Sequence, residues 1–287
     1  MHLLLEGWPL CVLTVIFGLL IGSFLNVVIH RTPISLDKKW RAECYDYLEI
    51  TPPQDNSAHY SIVWPGSHCP SCEAPIHAWQ NIPVISYLIL GGKCSSCKTA
   101  ISIRYPIFEI LTAALTLLVV IKFGLGWQCL GALIFTWSLI ALTGIDLDTQ
   151  LLPDGICLPL LWLGLIANSF GAYTDIQSAL WGAIVGYMSL WTVFWAFKLA
   201  TGKEGMGFGD FKLLAALGAW MGWQSLPMII LVSSASGVLV AVLMMIFFAH
   251  DRRVPIAFGP YLALGGWLAF MYGPEISAAA PMLFPMG

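Results

Sequence analysis

Two short loops in the apolar part of the chain set aspartate beside glycine: TGIDLDTQLLPDG at 143–155 and TGKEGMGFGDFK at 201–212. Asp146 closes the apolar run 125–145, and Asp210 stands at the start of another. Two carboxylates a few ångströms apart cannot comfortably both ionise, so they share one proton. The charged member can deprotonate water while the protonated one donates to a peptide carbonyl oxygen. That chemistry requires two aspartates on separate elements facing one cleft, and Asp146 and Asp210 meet the description. An aspartate before an apolar helix also serves as an ordinary N-cap. Asp154, in Leu-Pro-Asp-Gly, reads that way, and Asp148 reads as a solvated loop acid. For the pair, two features favour chemistry over capping. Ionisable groups at membrane depth are costly and usually functional. Gly205, Gly207 and Gly209 also remove side chains where an extended peptide would approach Asp210, a clearance that a cap does not need.

A second constellation is Cys69-Pro-Ser-Cys72 and Cys94-Ser-Ser-Cys97, two C-x-x-C knuckles with 21 residues between them. Four thiolates from two tight turns are what a tetrahedral zinc ion takes. With no open position implied, such an ion is structural and folds a small domain that has little core of its own. Redox chemistry or unliganded thiols are the alternatives. Cys11, Cys129 and Cys157 lie in apolar runs and read as small buried hydrophobes, and Cys44 has no evident partner. His68 and His77, beside the first knuckle, read as solvated.

The elements that hold these residues follow from composition. Of 287 residues, 58% are hydrophobic and 10% charged, against about 25% charged in soluble domains. The chain therefore reads as an all-α polytopic membrane protein. A hydrocarbon layer about 30 Å thick takes about 20 apolar residues per span. Eight candidate spans result: Pro9–Ile29, Pro106–Ile121, Leu125–Ile145, Gly155–Thr174, Ile176–Phe197, a short one near Phe211–Met221, one ending near Ala249 after a break at 223–227, and Val254–Pro274. The first lacks a basic n-region and exceeds the usual h-region length, so it is expected to be retained. With the N-terminus outside, twelve of the thirteen Lys and Arg fall on the inner side and only Lys122 outside, as the positive-inside rule requires. Both termini are then extracytoplasmic, and both aspartate loops reach the cytosolic face. The expected organisation is a first span at 1–30, a cytosolic tetracysteine domain at 31–104 and a seven-span core at 105–287. Within the cytosolic stretch at most one short helix, near Lys38–Leu48, is expected. Cytosolic placement keeps the thiols reduced. No basic patch of nucleic-acid size is present.

Gly207-Phe-Gly-Asp210 resembles the G-x-G-D signature of intramembrane aspartyl proteases. The ordered set resembles the bacterial type IV prepilin leader peptidase family: Gly22-Ser-Phe-Leu-Asn-Val27 with His30-Arg31, the two knuckles, Ser102-Ile-Arg-Tyr-Pro106 with Glu109, Ile145-Asp146 through Leu152-Pro-Asp154, Gly205 to Lys212, and Phe258-Gly-Pro-Tyr261. The resemblance implies removal of a basic leader, after a glycine, from prepilins and type II secretion pseudopilins at the cytoplasmic face of the bacterial inner membrane. It further implies methylation of the new N-terminal residue with S-adenosylmethionine. By position it makes Asp146 and Asp210 the catalytic pair. The methyl donor has no strand–GxGxxG–helix site here. Its candidate contacts are Gly92, in a Gly-Gly turn; Asn26, which also suits an interhelical hydrogen bond; and Glu109, which could pair with Arg104 or with the substrate's new ammonium group.

Two readings of other classes remain open on the sequence. An ion-coupled transporter would use acids at broken helices to carry protons or cations. A membrane-anchored zinc module would only bind a partner, with its acids as caps.

Overall fold

The computed structural model describes residues 7–51, 60–247 and 257–279. Arg252 and Arg253, which enter the topology argument, lie outside the described residues. The chain forms two compact units, Met1–Gly124 and Leu125–Gly287. The described residues contain helices and no strand, apart from the isolated bridges His68–Pro75 and Lys93–Ala100. The first unit holds α1 (Trp8–Tyr47), a 3₁₀ turn at Ala78–Asn81, α2 (Ile85–Ile89) and α3 (Arg104–Phe123). The second holds α4 (Trp127–Thr149), α5 (Asp154–Ser169), α6 (Ile176–Thr201), α7 (Phe208–Met221), a 3₁₀ turn at Trp223–Ser225, α8 (Leu226–Phe247) and α9 (Gly259–Ala279).

Each of the eight expected apolar runs overlaps one of these helices; the end of the seventh, near Ala249, and the start of the eighth, at Val254, lie outside the described residues. Among the described residues, five helical segments are long and apolar enough to cross a bilayer: α1, α3, α4, α6 and Trp223–Phe247, which joins the 3₁₀ turn to α8. The helix α5 has 16 residues and α7 only 14.

One expectation fails in the first unit. In place of a short helix near Lys38–Leu48, α1 runs unbroken for 40 residues, through Pro33 to Tyr47. At 1.5 Å per residue that is about 60 Å, twice the hydrocarbon thickness. The apolar pattern stops near Ile29, but helix formation does not need it to continue. Ion pairs at helical spacing, Arg41 Nε to Asp37 Oδ2 at 2.8 Å and Lys39 Nζ to Glu43 Oε1 at 3.8 Å, suit the extension. Arg31, at the end of the apolar part of α1, does not reach into solvent. It is buried, and its Nη1 donates to the Ser61, Ile62 and Pro65 carbonyls.

Packing in both units runs on small residues. Gly18 and Gly22 of α1 lie against α3 so closely that a Cβ would stand 2.6 Å from Ala113 Cα or 2.7 Å from Glu109 Cα. Gly182 and Gly186 of α6 repeat this four-residue spacing against α7, where Gly182 meets the backbone of Gly218 and a Cβ at Gly186 would be 2.7 Å from the Leu214 carbonyl oxygen. In lipid, helices associate by such close backbone approach because apolar side chains gain nothing over lipid tails.

The second unit is organised around α7, whose Leu213, Leu214, Ala216, Leu217 and Ala219 are fully buried. It packs on α5, α6 and α9. Trp220, near its end, donates Nε1–H to the Leu160 carbonyl at 2.8 Å and meets the rings of Phe135, Tyr173 and Phe270. The Asn168 amide donates to the carbonyls of Ala219 and Trp220, 2.8 and 3.1 Å away. It thereby satisfies two of the acceptors that a helix C-terminus leaves open.

Gly182→Val is expected to overpack the α6–α7 contact and lower stability by about 3 kcal/mol or more. Gly155→Ala, at a helical position where a Cβ meets nothing within 4 Å, is expected to be neutral or to stabilise by up to about 1 kcal/mol. Thermal unfolding of both variants in detergent checks the contrast.

Candidate active site and metal centre

In the second unit the two aspartates come from opposite helix ends. Asp146 belongs to the last turn of α4, which closes at Gln150 in the left-handed conformation (φ 55°). Asp210 belongs to the first turn of α7, where Gly207 is the N-cap residue. Asp210 is therefore not a cap, and Asp154 is not one either: Pro153 occupies that position for α5. Asp175 is a side-chain cap: its Oδ1 accepts from the Ser178 amide, 2.9 Å away, at the start of α6.

Asp146 and Asp210 are 4% and 7% exposed, whereas Asp148 and Asp154 are open to solvent. The two buried carboxylates lie within electrostatic reach of each other. Three contacts draw their segments together. Leu152 is buried and serves both: a Cβ on Gly209, next to Asp210, would lie 2.7 Å from Leu152 Cβ, and one on Gly259 would lie 3.1 Å from Leu152 Cδ2. Gly259 in turn donates its amide to Asp146 Oδ2 at 3.0 Å. Lys212 Nζ bridges both oxygens of Asp154 at 2.6 and 2.8 Å, joining the loop after α4 to the start of α7. The fully buried Cys157 is within electrostatic range of Asp154, Lys212, Asp210 and Asp146.

The glycines before Asp210 do not leave the open track expected of them. The space of a side chain at Gly205 is filled by the Phe197 ring, 2.9 Å from a Cβ, and at Gly209 by Leu152. At Gly207 a Cβ would meet Asp210 Oδ2 at 3.8 Å and the Gly209 nitrogen at 4.0 Å. Two of the three therefore admit this chain's own side chains.

In the first unit the two knuckles have the same backbone. Cys69 N–H donates to the Ala74 carbonyl and Glu73 N–H to the Cys69 carbonyl, both at 2.9 Å; Cys94 to Thr99 and Lys98 to Cys94 repeat the pattern at 2.8 and 3.1 Å. Glu73 and Lys98 take matching positive φ angles, 56° and 60°. Four sulfurs lie within 4.8 Å of one another. A tetrahedron of Zn–S bonds near 2.3 Å places its sulfurs about 3.8 Å apart; Cys69 and Cys97 are at 3.8 Å. The cluster can therefore hold a metal ion. Hydrogen bonds from the Thr99 hydroxyl and amide hold the Cys97 thiol down to about 6, toward the thiolate that a metal requires. His68 and His77 are exposed and are not members of the cluster.

Asn26 and Glu109 are both buried on the facing helices α1 and α3. Asn26 Nδ2 donates to the Tyr105 carbonyl at 3.1 Å, the interhelical bond its position suggested. Glu109 Oε2 accepts from the Val84 amide at 2.8 Å. Val84, a β-branched residue, is held at φ 58°, a region such residues seldom enter. Gly92 (φ 67°) forms a turn, and the Tyr87 hydroxyl occupies the space beside it, 2.9 Å from where a Cβ would lie. Of these three, only Asn26 and Glu109 lie on packed helices; Gly92 belongs to the turn that follows α2, where its amide donates to the Tyr87 carbonyl.

Sequence reasoning missed Val84, and it placed Leu152, Gly259 and Lys212 in the motifs of the resemblance without reading what they touch. Leu152 and Val84 carry no polar signal. Gly259 acts through its backbone, and Lys212 finds its partner 58 residues away.

Residues 16–123 match the bacterial peptidase A24 N-terminal domain, and residues 133–242 match the type IV leader peptidase family. These stretches fall in the first and second unit respectively. The chain is 54% identical to a prepilin leader peptidase/N-methyltransferase of Pseudomonas aeruginosa over 92% of its length and 91% of the relative's. It is 50% identical to one of Aeromonas salmonicida, covering 96% and 97% of the two chains. It is 51% identical to one of Neisseria gonorrhoeae, covering 90% and 89%. No solved structure matches this chain.

The purified protein is expected to carry about one tightly bound divalent metal ion per chain, as a closed four-thiolate site implies. Cys69→Ser and Cys97→Ser should each lose it, as measured by elemental mass spectrometry, while His68→Ala retains it.

Proposed function

The chain belongs to the type IV leader peptidase family, and from that premise we propose that it cuts the basic leader from prepilins and pseudopilins and then methylates the new N-terminal residue. The observation that carries the peptidase half is the burial of Asp146 and Asp210, from two different helix ends, in one cluster. One proton shared by the pair supplies both roles of aspartyl hydrolysis. The ionised carboxylate accepts a proton from water as its oxygen attacks the peptide carbon, and the protonated one donates to the carbonyl oxygen. Collapse of the tetrahedral adduct, with a proton passed to the amine, releases leader and mature pilin. The leader presents its basic residues at the cytosolic side, and the apolar segment that follows the cut stays in the bilayer. In this reading eight spans put both termini in the periplasm, and both aspartate loops open to the cytoplasm of a bacterial inner membrane.

The ion suited to Cys69, Cys72, Cys94 and Cys97 is zinc: four thiolates at tetrahedral spacing leave no position for a reactant. Its part is to hold the two knuckles together. The N-methyltransferase half takes S-adenosylmethionine, which supplies an electrophilic methyl group when bound. We place its site in the first unit. Glu109 is suited to it because a buried carboxylate met here by a neutral amide gains most from a cation, either the donor's sulfonium or the substrate's new ammonium group. Asn26 lies on the helix that faces it. Gly92 fits less well, since Tyr87 fills the space a cofactor would need.

Asp146→Ala and Asp210→Ala are each expected to lower leader removal by about 10²- to 10⁴-fold. Mass spectrometry of a prepilin incubated with the protein and S-adenosylmethionine reads leader loss and methyl addition separately; either variant cleaving at the normal rate rejects the pair. Glu109→Gln should lower methylation of a pre-cleaved pilin by about 10- to 100-fold, the worth of a charged hydrogen bond, with leader removal preserved.

A further inference from the structure

Asp146 is gripped by a group outside both aspartate loops. Its Oδ2 accepts the backbone N–H of Gly259, the first residue of α9, at 3.0 Å. The N–H groups of a first helical turn have no partner within their helix. Here the following residue, Pro260, has none to offer, and the Tyr261 and Leu262 amides turn back to the Phe258 carbonyl. That leaves the Gly259 amide for the carboxylate.

The position also excludes any side chain. A Cβ on Gly259 would stand 2.6 Å from Asp146 Oδ2 and 3.1 Å from its Cγ. The glycine backbone is not in the left-handed region, so conformational freedom is not the reason for glycine. Closeness to the carboxylate is.

The contact separates two otherwise similar acids. Both acids stand at the positive end of a helix, α9 for Asp146 and α7 for Asp210, so the helix ends do not distinguish them. The amide donor at 3.0 Å does, and it favours a negative charge at Asp146. It also ties down Oδ2 and leaves Oδ1 as the oxygen that can face a reactant. We propose that Gly259 is the positioning residue of the peptidase site, holding Asp146 as the charged, water-activating member of the pair and leaving the shared proton to Asp210. Asp146 Oδ1 takes a proton from water as the water oxygen bonds to the scissile carbonyl carbon. The carbonyl π pair moves to its oxygen, which takes the proton from Asp210. The inference rests on the aspartyl reading of the site and adds an order to it.

The first test is Gly259→Ala in the full chain, in detergent, with a prepilin substrate. The added methyl displaces the carboxylate, and kcat for leader removal should fall by about 10²-fold, as for a catalytic group misplaced by an ångström. KM should stay within about threefold, because substrate binding is untouched. Normal kcat overturns the proposal. So does recovery of activity on adding Leu152→Ala, because the clash would then lie with Leu152, the other neighbour of that Cβ. The second test does not depend on how Gly259→Ala folds. Exchange of the Gly259 amide hydrogen, followed residue by residue, should be slow in the native protein and about tenfold or more faster in Asp146→Ala, the effect of losing one hydrogen bond. Unchanged exchange overturns the proposal. If Asp146→Ala abolishes cleavage without altering that exchange, only the Gly259 role fails; if Asp146→Ala still cleaves, the aspartyl reading beneath it fails.

Discussion

Placing two carboxylates inside an apolar helical bundle is the demand around which the second unit is built. An ionised carboxylate away from water is costly unless dipoles or partners meet it. The unit meets that cost with backbone: the amide of Gly259 for Asp146, and for Asp210 a place in the first turn of α7, where a helix favours negative charge. Each arrangement needs the chain to come very near another element, and that nearness explains the glycines. Gly209 gives way to Leu152, Gly259 to the Asp146 carboxylate, and Gly182 to the backbone of α7. The bidentate Lys212–Asp154 bridge lies at the more exposed edge. There a salt bridge contributes little to stability, but it fixes how the two loops stand relative to each other.

The first unit solves a different problem. Between α1 and α3 few of the described apolar side chains are buried, and a four-thiolate cluster stands where a core would be. The matching positive φ angles at Glu73 and Lys98 follow from wrapping the backbone around one centre twice. Neither residue is the glycine that such a conformation prefers, so the fold bears a local strain at both knuckles. Glu109 and Val84 extend the same logic into the helices. A buried carboxylate on α3 accepts the amide of a strained residue just before α2, and so ties the segment between the knuckles to the membrane part of its own unit.

Much of this was legible in residue order. Paired C-x-x-C turns, eight apolar runs and two aspartates at the ends of such runs are local signals, and each maps onto the structure. What was not legible depended on distance along the chain or on backbone. The four-residue glycine spacings at Gly18–Gly22 and Gly182–Gly186 could have been read as helix contacts, but their partners could not. Asp154 resembled a cap until Lys212 reached it. The continuation of α1 past Arg31 defied a rule that follows apolarity, because charges spaced four apart sustain a helix without it. The glycines of the 205–209 segment were assigned to a substrate, whereas the fold uses two of them for itself.

The length of α7 joins these points. Fourteen residues make a helix about 21 Å long, shorter than the hydrocarbon layer of about 30 Å. A lipid-facing helix of that length would leave backbone groups unsatisfied in the bilayer. Enclosed by α5, α6 and α9, α7 can end early, because its neighbours supply what lipid cannot: at its far end the Asn168 amide takes the carbonyls of Ala219 and Trp220. A short enclosed helix has a start that need not reach the membrane surface. Asp210 lies in that first turn, so shortness and enclosure together leave its carboxylate buried within the bundle. A longer helix in the same place would carry its first turn beyond the helices that enclose it, where water would meet the carboxylate and remove the cost that burial sets.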